Sequence, residues 1–214
     1  VRPAYPAIIS GKQAILDKGD VFKLGASDVA GLLPDTVETQ LSISSQANLN
    51  LQDQLKNLLA YPYGCLEQTS SRAYPLGFAT KTNQERFSLS PIDDAKRIDM
   101  ITQGIDRIAT MQLNNGGFGL WNNRSPEEHW LTVYVADFLL TARQQGIAVP
   151  NALIDSSMKR LKSYLNRSGR FVGERWSQNS NHYNFAYKAY AGYVLSRVNQ
   201  APLGALRNLY DHQL

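Results

Sequence analysis

The sequence is short of most features that announce a function. Its 214 residues hold a single cysteine, Cys65, so no internal disulfide can form and pairing says nothing about redox compartment. No apolar run is long enough to span a bilayer, and the chain opens with no signal-peptide pattern. There is no basic run of the kind that tracks phosphate, and the net charge is only +4. Lys159, Arg160 and Lys162 fall on a helical stretch and read as a solvated face. Nucleic acid is therefore not an expected partner. The chain also lacks a His-Glu-x-x-His pair, a phosphate loop and a nucleophilic serine elbow, so no metal or organic cofactor is implied. What is present is a globular composition, 43% apolar and 19% charged. That is enough chain for one large domain or two smaller ones. With Val1 at one end and a helical pattern running into Leu214 at the other, the chain reads as a piece of a longer protein.

Two textures divide it. Residues 1–47 are rich in strand formers and turn residues. Gln13 to Leu24 predicts two short strands about a Lys18-Gly19-Asp20 turn. Val37 to Ile43 alternates apolar and polar, the period of a half-buried strand. From residue 48 the period becomes helical. Leu51, Leu55, Leu58 and Leu59 share one stripe. A second helix is expected from Leu66 toward Leu76, kinked or ended by Pro75. Ser90-Pro91 reads as an N-cap and first helical position, opening a long helix with Ile98, Ile101, Ile105 and Ile108 on one face. Ser125-Pro126-Glu127-Glu128 reads as a capping box for a helix through Leu139 that Gly146 can stop. Further helices are expected at 151–165, 183–198 and 203–213. Glycine-rich aromatic loops at 116–121 and 169–173 fall between helices, a weak repeat of helical hairpins.

The most informative stretch is Tyr61-Pro62-Tyr63-Gly64-Cys65-Leu66-Glu67-Gln68. A thiol and a carboxamide three residues apart can meet across one turn. With loss of ammonia they can condense into an internal thioester from the Cys65 sulfur to the Gln68 side-chain carbonyl. Such a bond is an activated acyl group: kept dry it is a loaded trap, and exposed it acylates an amine or hydroxyl. Gly64 permits unusual backbone angles before the cysteine, and Pro62 biases Tyr61 toward an extended conformation. Tyr61 and Tyr63 offer bulky cover for a water-labile bond, or ordinary packing. Against this stands the common case of a lone cysteine as a small buried hydrophobe.

Pro62-Tyr63-Gly64-Cys65-Leu66-Glu67-Gln68 resembles the thioester motif of the α2-macroglobulin and complement superfamily, in the Cys-Leu-Glu-Gln form of its bacterial members. Asn115-Gly116-Gly117-Phe118-Gly119 with Trp130 to Val135 is similar to a second family stretch, and Leu33 to Glu38 resembles the strand leading into the thioester domain. The resemblance implies a mainly α fold. Residues 48–214 would be the N-terminal part of an α/α toroid, and 1–47 the first strands of a CUB-type β-sandwich into which the helical domain is inserted. It implies a protease trap, not an enzyme with turnover. After cleavage of a bait region elsewhere, a lysine amine of the target protease would attack Gln68 and Cys65 would leave. Its bacterial form implies the periplasm, with a lipid anchor outside this chain at the inner membrane. Other domains of the same protein would be partners.

Three histidines need placing. His129 reads as structural or partly exposed. His212 is uninformative. His182 lies at roughly the distance from Cys65 at which complement proteins carry a histidine that attacks the thioester first, which makes it a candidate assisting residue. Its neighbours Asn181, Tyr183 and Asn184 do not fit that pattern well, and the alternative is a histidine stacked among Tyr183, Tyr187 and Tyr190. Two other classes stay open: a non-covalent helical scaffold, and a cysteine hydrolase or transglutaminase-like enzyme with Cys65 as nucleophile.

Overall fold

The structure, a computed structural model, describes residues 8, 10–39, 41, 43, 51, 54–55, 59, 64–87, 89–166 and 180–211. The chain divides into two compact units, Val1–Ser45 and Gln46–Leu214.

In the first unit the described residues form two single 3-10 turns, Ala26–Asp28 and Pro34–Thr36. The Lys18-Gly19 turn is present, with Gly19 at φ +100° and the Asp17 amide donating to the Asp20 carboxylate at 3.0 Å. Lys12 and Asp28 form an ion pair. The strands expected on either side of that turn are not seen, and the Val37 to Ile43 stretch lies partly outside the described residues, at 40 and 42: among the described residues this unit contains no strand. Ile15 and Val21 are exposed. Two short strands that bury no apolar face gain too little to hold a ladder alone.

The second unit is helical. Its described helices are α1 (Leu66–Phe78), α2 (Lys81–Arg86), α3 (Asp94–Ala109), α4 (His129–Gln144), α5 (Asn151–Asn166), α6 (Ser180–Ser196) and α7 (Leu203–Asp211). Leu51, Gln54, Leu55 and Leu59 are also helical. α1 packs on α3, α5 on α4 and α6, and α7 on α5 and α6, while α1, α4 and α6 touch in series. These are hairpins with one layer made by α1, α4 and α6 and the other by α3, α5 and α7, the two-layer plan of an α/α toroid segment. The core runs through Leu66, Leu76, Ile105, Ile108, Phe118, Val133, Phe138, Leu139, Leu161 and Tyr187. The 3.6-residue period of α3 puts Ile101, Ile105 and Ile108 in this core, while Ile98 lies largely outside it.

The helix starts differ from the sequence reading in two places. α3 begins three residues past Pro91, because Asp93 is its cap: the Asp93 carboxylate accepts the Lys96 amide at 3.1 Å, and Asp94 follows in the first turn. An aspartate pair serves the positive helix end better than Ser-Pro. Ser125-Pro126-Glu127-Glu128 is not a capping box either. α4 starts at His129 with Glu128 as its cap, and Glu127 is drawn away by a backbone bridge to Gly119 and an ion pair to Arg160. Pro75 lies inside α1, which continues to Phe78. α2 was not evident from the pattern; Thr80 caps it by accepting the Asn83 amide.

Candidate functional site

Cys65 is the N-cap of α1, with an extended backbone at φ −72° and ψ 168°. Gln68 is then the third helical residue, and its side chain turns back so that the Cys65 amide donates to Gln68 Oε1 at 3.4 Å. This return reach is half of a capping box. It brings the carboxamide to the residue that carries the sulfur. Cys65 is 5% exposed, Gln68 is half-buried and Glu67 faces solvent. Glu67 Oε1 accepts from the Ser71 hydroxyl at 3.0 Å.

The backbone on both sides of Cys65 is held from outside its own helix. Before it, the Gly64 carbonyl accepts from Arg107 Nε at 3.4 Å and Nη2 at 3.3 Å. After it, the Leu66 amide donates to the Leu120 carbonyl at 2.7 Å. That second bond satisfies one of the orphan donors at the helix start and ties the Cys65 turn to the glycine loop.

The loop is rigid for reasons visible atom by atom. Gly119 N–H donates to Met111 at 3.1 Å, Leu113 N–H to Gly117 at 2.8 Å and Glu128 N–H to Phe118 at 2.9 Å. Gly116 sits at φ +88°, where a Cβ would run into the Ser156 carbonyl, and a Cβ on Gly117 would run into the Glu127 side chain. Both positions therefore require glycine. Asn115 Nδ2 donates to Glu127 Oε2 at 3.0 Å.

Glu127 is the hub behind the loop. Arg160 Nε donates to its Oε1 at 2.8 Å, Arg160 Nη2 pairs with Oε2, and the Tyr164 hydroxyl donates to Oε1. Burial alone would raise the Glu127 carboxyl, but the bonds from Arg160 and Tyr164 outweigh it and hold the group below its ordinary value. Burial pushes the Tyr164 phenol up, helped by the Glu127 charge. Arg160, read from the sequence as part of a solvated face, is thus a mostly buried ion-pair partner. A second hub joins three helices of one layer. The Tyr74 and Tyr190 hydroxyls each donate to Asp137 Oδ2 at 2.8 Å, and Arg197 pairs with Oδ1. Burial first, with Asp137 adding to it, pushes the Tyr74 phenol up to about 12.

The histidines separate clearly. His182 lies exposed in the first turn of α6. His129 is packed among tyrosines: its ring stacks on Tyr187 at 5.4 Å and lies 5.5 Å from Tyr164. Burial keeps the His129 imidazole below its ordinary value, with Glu127 opposing that and Arg160 adding to it. Tyr61, Tyr63 and His212, and the second glycine loop at 169–173, lie outside the described residues. Among the described residues no three His, Cys, Asp or Glu side chains are grouped to hold a metal ion, and no helix is long and apolar enough to cross a membrane.

Sequence reasoning missed both acid hubs. The one signal was Asp137, a carboxylate set between Val135-Ala136 and Phe138-Leu139 in an apolar helix, which needs a partner if buried.

Comparison with known proteins gives the family and the fold. The model of the A-macroglobulin TED domain matches residues 35–194. The chain is 38% identical over 213 residues to the alpha-2-macroglobulin of Escherichia coli strain K12, a match covering 100% of this chain and 13% of that protein. Salmonella alpha-2-macroglobulin reacted with methylamine superposes with a TM-score of 0.71 at 41% identity, covering 77% of this chain and 11% of that one. Trypsin-activated alpha-2-macroglobulin from Escherichia coli gives a TM-score of 0.67 at 41% identity, over 72% of this chain and 10% of that one. The chain therefore spans a small part of the length of such relatives.

Proposed function

The chain belongs to the α2-macroglobulin family, and from that premise we propose that it is the reactive part of a covalent protease trap. The observation that carries this reading is the return of the Gln68 carboxamide to the Cys65 amide at 3.4 Å, beside a thiol shut away from solvent. Condensation of the two joins Sγ to the Gln68 carbonyl carbon and releases ammonia. The Cys65 amide would then donate to the acyl oxygen, where negative charge gathers as a nucleophile adds. The thiolate that leaves would do so at the positive end of α1, which favours an anion.

The trap fires once. Cleavage of a bait region elsewhere in the whole protein exposes the bond. An unprotonated lysine amine of the protease adds to the Gln68 carbonyl and loses its proton, and the C–S bond breaks. The protease is left on an amide tether and Cys65 as a thiolate. That relatives have been captured in methylamine-reacted and trypsin-activated forms supports an amine as the attacking group and a protease as the trigger. Turnover is not part of this scheme, so the protein acts as an inhibitor. Tyr61 and Tyr63 are assigned to covering the bond against water. Residues 1–47 are taken as the opening strands of a CUB-type sandwich whose other strands follow later in the whole chain. The same reading puts the protein in the periplasm, on a lipid anchor outside this segment.

The test is capture. Full-length protein mixed with trypsin should give heat- and detergent-stable conjugates on a gel. Cys65→Ala should reduce them to background while the domain still unfolds cooperatively near the parental temperature. Conjugates that persist in Cys65→Ala would sink the mechanism.

A further inference from the structure

We propose that Arg107 is a positioning residue for the Cys65–Gln68 bond, a role that rests on the trap reading above. Arg107 lies in the last turn of α3. Its side chain crosses to the residue before the cysteine, where Nε and Nη2 both reach the Gly64 carbonyl, at 3.4 and 3.3 Å. Nη1 is turned to the Thr110 hydroxyl at 3.4 Å, and that hydroxyl itself donates to the Arg107 carbonyl at 2.7 Å, so the guanidinium plane is steadied from its own helix. On the other side of the cysteine the Leu66 amide is held by Leu120 at 2.7 Å. Cys65 thus sits between two backbone groups fixed by different elements, α3 and the glycine loop.

The consequence is chemical. The ring closed by a Cys65–Gln68 bond contains the backbone from Cys65 to Gln68, so its stability depends on the angle at which the chain enters the helix. The entry angle is set at Gly64, where no side chain restrains it. A planar fork with two donors on one oxygen fixes both position and direction, which a single ammonium cannot. Without the fork the Gly64 peptide can swing, the acyl carbon meets water more often, and Gln68 is converted to glutamate as Cys65 is released as a thiol. A basic residue at a helix C-terminus has an ordinary use in balancing the dipole. That use needs charge alone, so lysine would serve it as well as arginine.

Full-length Arg107→Met, Arg107→Lys and the control Arg86→Met, another exposed arginine at a helix end, are incubated at neutral pH without amine. Thiol release and the mass of the peptide bearing Cys65 and Gln68 are followed over time, with Tm recorded for each. Arg107→Met should discharge roughly two- to tenfold faster than the parent, the worth of one hydrogen bond. Arg107→Lys should fall between the two, and Arg86→Met should match the parent, all at parental Tm. A parent whose thiol is masked but whose Arg107→Met variant discharges at the same rate overturns the role. So does an Arg86→Met variant that discharges as fast as Arg107→Met, or an Arg107→Lys variant identical to the parent. A parent with a free thiol and an intact Gln68 amide overturns the trap reading, and Arg107's role with it.

Discussion

The Cys65 turn and the start of α6 at His182 are both helix N-termini bearing a group with nucleophilic chemistry, and they are built in opposite ways. Cys65 is buried and its flanking amide and carbonyl are tied to Leu120 and Arg107. Behind Leu120 stands a glycine loop braced by a buried Glu127–Arg160 pair. His182 is exposed in a first turn. His129, on α4, is buried in an aromatic setting. The contrast teaches where this fold spends its order. It shields the Cys65 thiol from water beside the half-buried Gln68, and it leaves His182 exposed. A bond that must survive until a trigger needs that shielding, and an amine that attacks directly needs no general base from the protein.

The strongest way to break the contrast is to loosen the corner behind the loop. Arg160→Met leaves the Glu127 carboxylate buried beside Gly117 without its cation, which costs about 3–5 kcal/mol. For a domain of this size that lowers Tm by roughly 6–20 °C. Discharge of the Cys65 thiol should also speed up, measured as thiol release at a temperature where the variant is still folded. Arg197→Met, which breaks the Asp137 pair and does not touch the loop, should cost similar stability with less effect on discharge at matched distance from Tm. Equal acceleration in both would mean that the loop brace has no special tie to the reactive turn.

A milder perturbation is acid. Folding holds the Glu127 carboxyl below its ordinary 4.5. The stability it contributes is present above that value and is lost as pH falls through the depressed folded value. Folding also holds the His129 imidazole below 6.5. Its contribution is complete above 6.5 and declines as pH falls from there toward the folded value. Calorimetric Tm should therefore fall between pH 7.5 and 5.5, by about 2–4 °C for each 1 kcal/mol, and fall again below 4.5. His129→Gln should flatten the upper limb and leave the lower one. An unchanged upper limb in His129→Gln would assign it to another group.

The smallest effect is expected at His182. If amines attack Gln68 directly, His182→Ala leaves the ratio of methylamine to glycerol incorporation unchanged. An amine is the better nucleophile once deprotonated, and no acyl-imidazole step is required. A large and selective loss of glycerol incorporation would erase the contrast and give the exposed histidine a chemical role.

The approach of Gln68 to Cys65 was legible in the sequence because the two lie within one helical turn, so spacing alone brings them together. The cores of α3, α4 and α5 were legible from their apolar period. The start of α5 was legible too; those of α3 and α4 were not, because competing caps lie a few residues apart: Asp93 prevails over Ser90, and Glu128 is itself the N-cap of α4 rather than the residue that closes a box on Ser125. The acid hubs were invisible for a related reason. Glu127 meets Arg160 and Tyr164 across 33 and 37 residues, and Asp137 meets Tyr74 across 63 and Tyr190 across 53, separations that leave no local pattern. Arg160 was misread because Lys159 and Lys162 make the stretch look like a uniform basic face. The strand signals at Gln13 to Leu24 describe what those residues prefer when paired, and among the described residues of that unit they have no ladder to join.

The most direct test of the covalent account is thiol titration of freshly prepared native protein before and after methylamine, with mass mapping of the peptide spanning residues 61–72. The account predicts a Cys65 thiol that resists alkylation until methylamine releases it, a peptide lighter by one ammonia before treatment, and methylamide on Gln68 afterwards. A Cys65 that alkylates at once, on a peptide whose Gln68 is an unmodified amide, would contradict it.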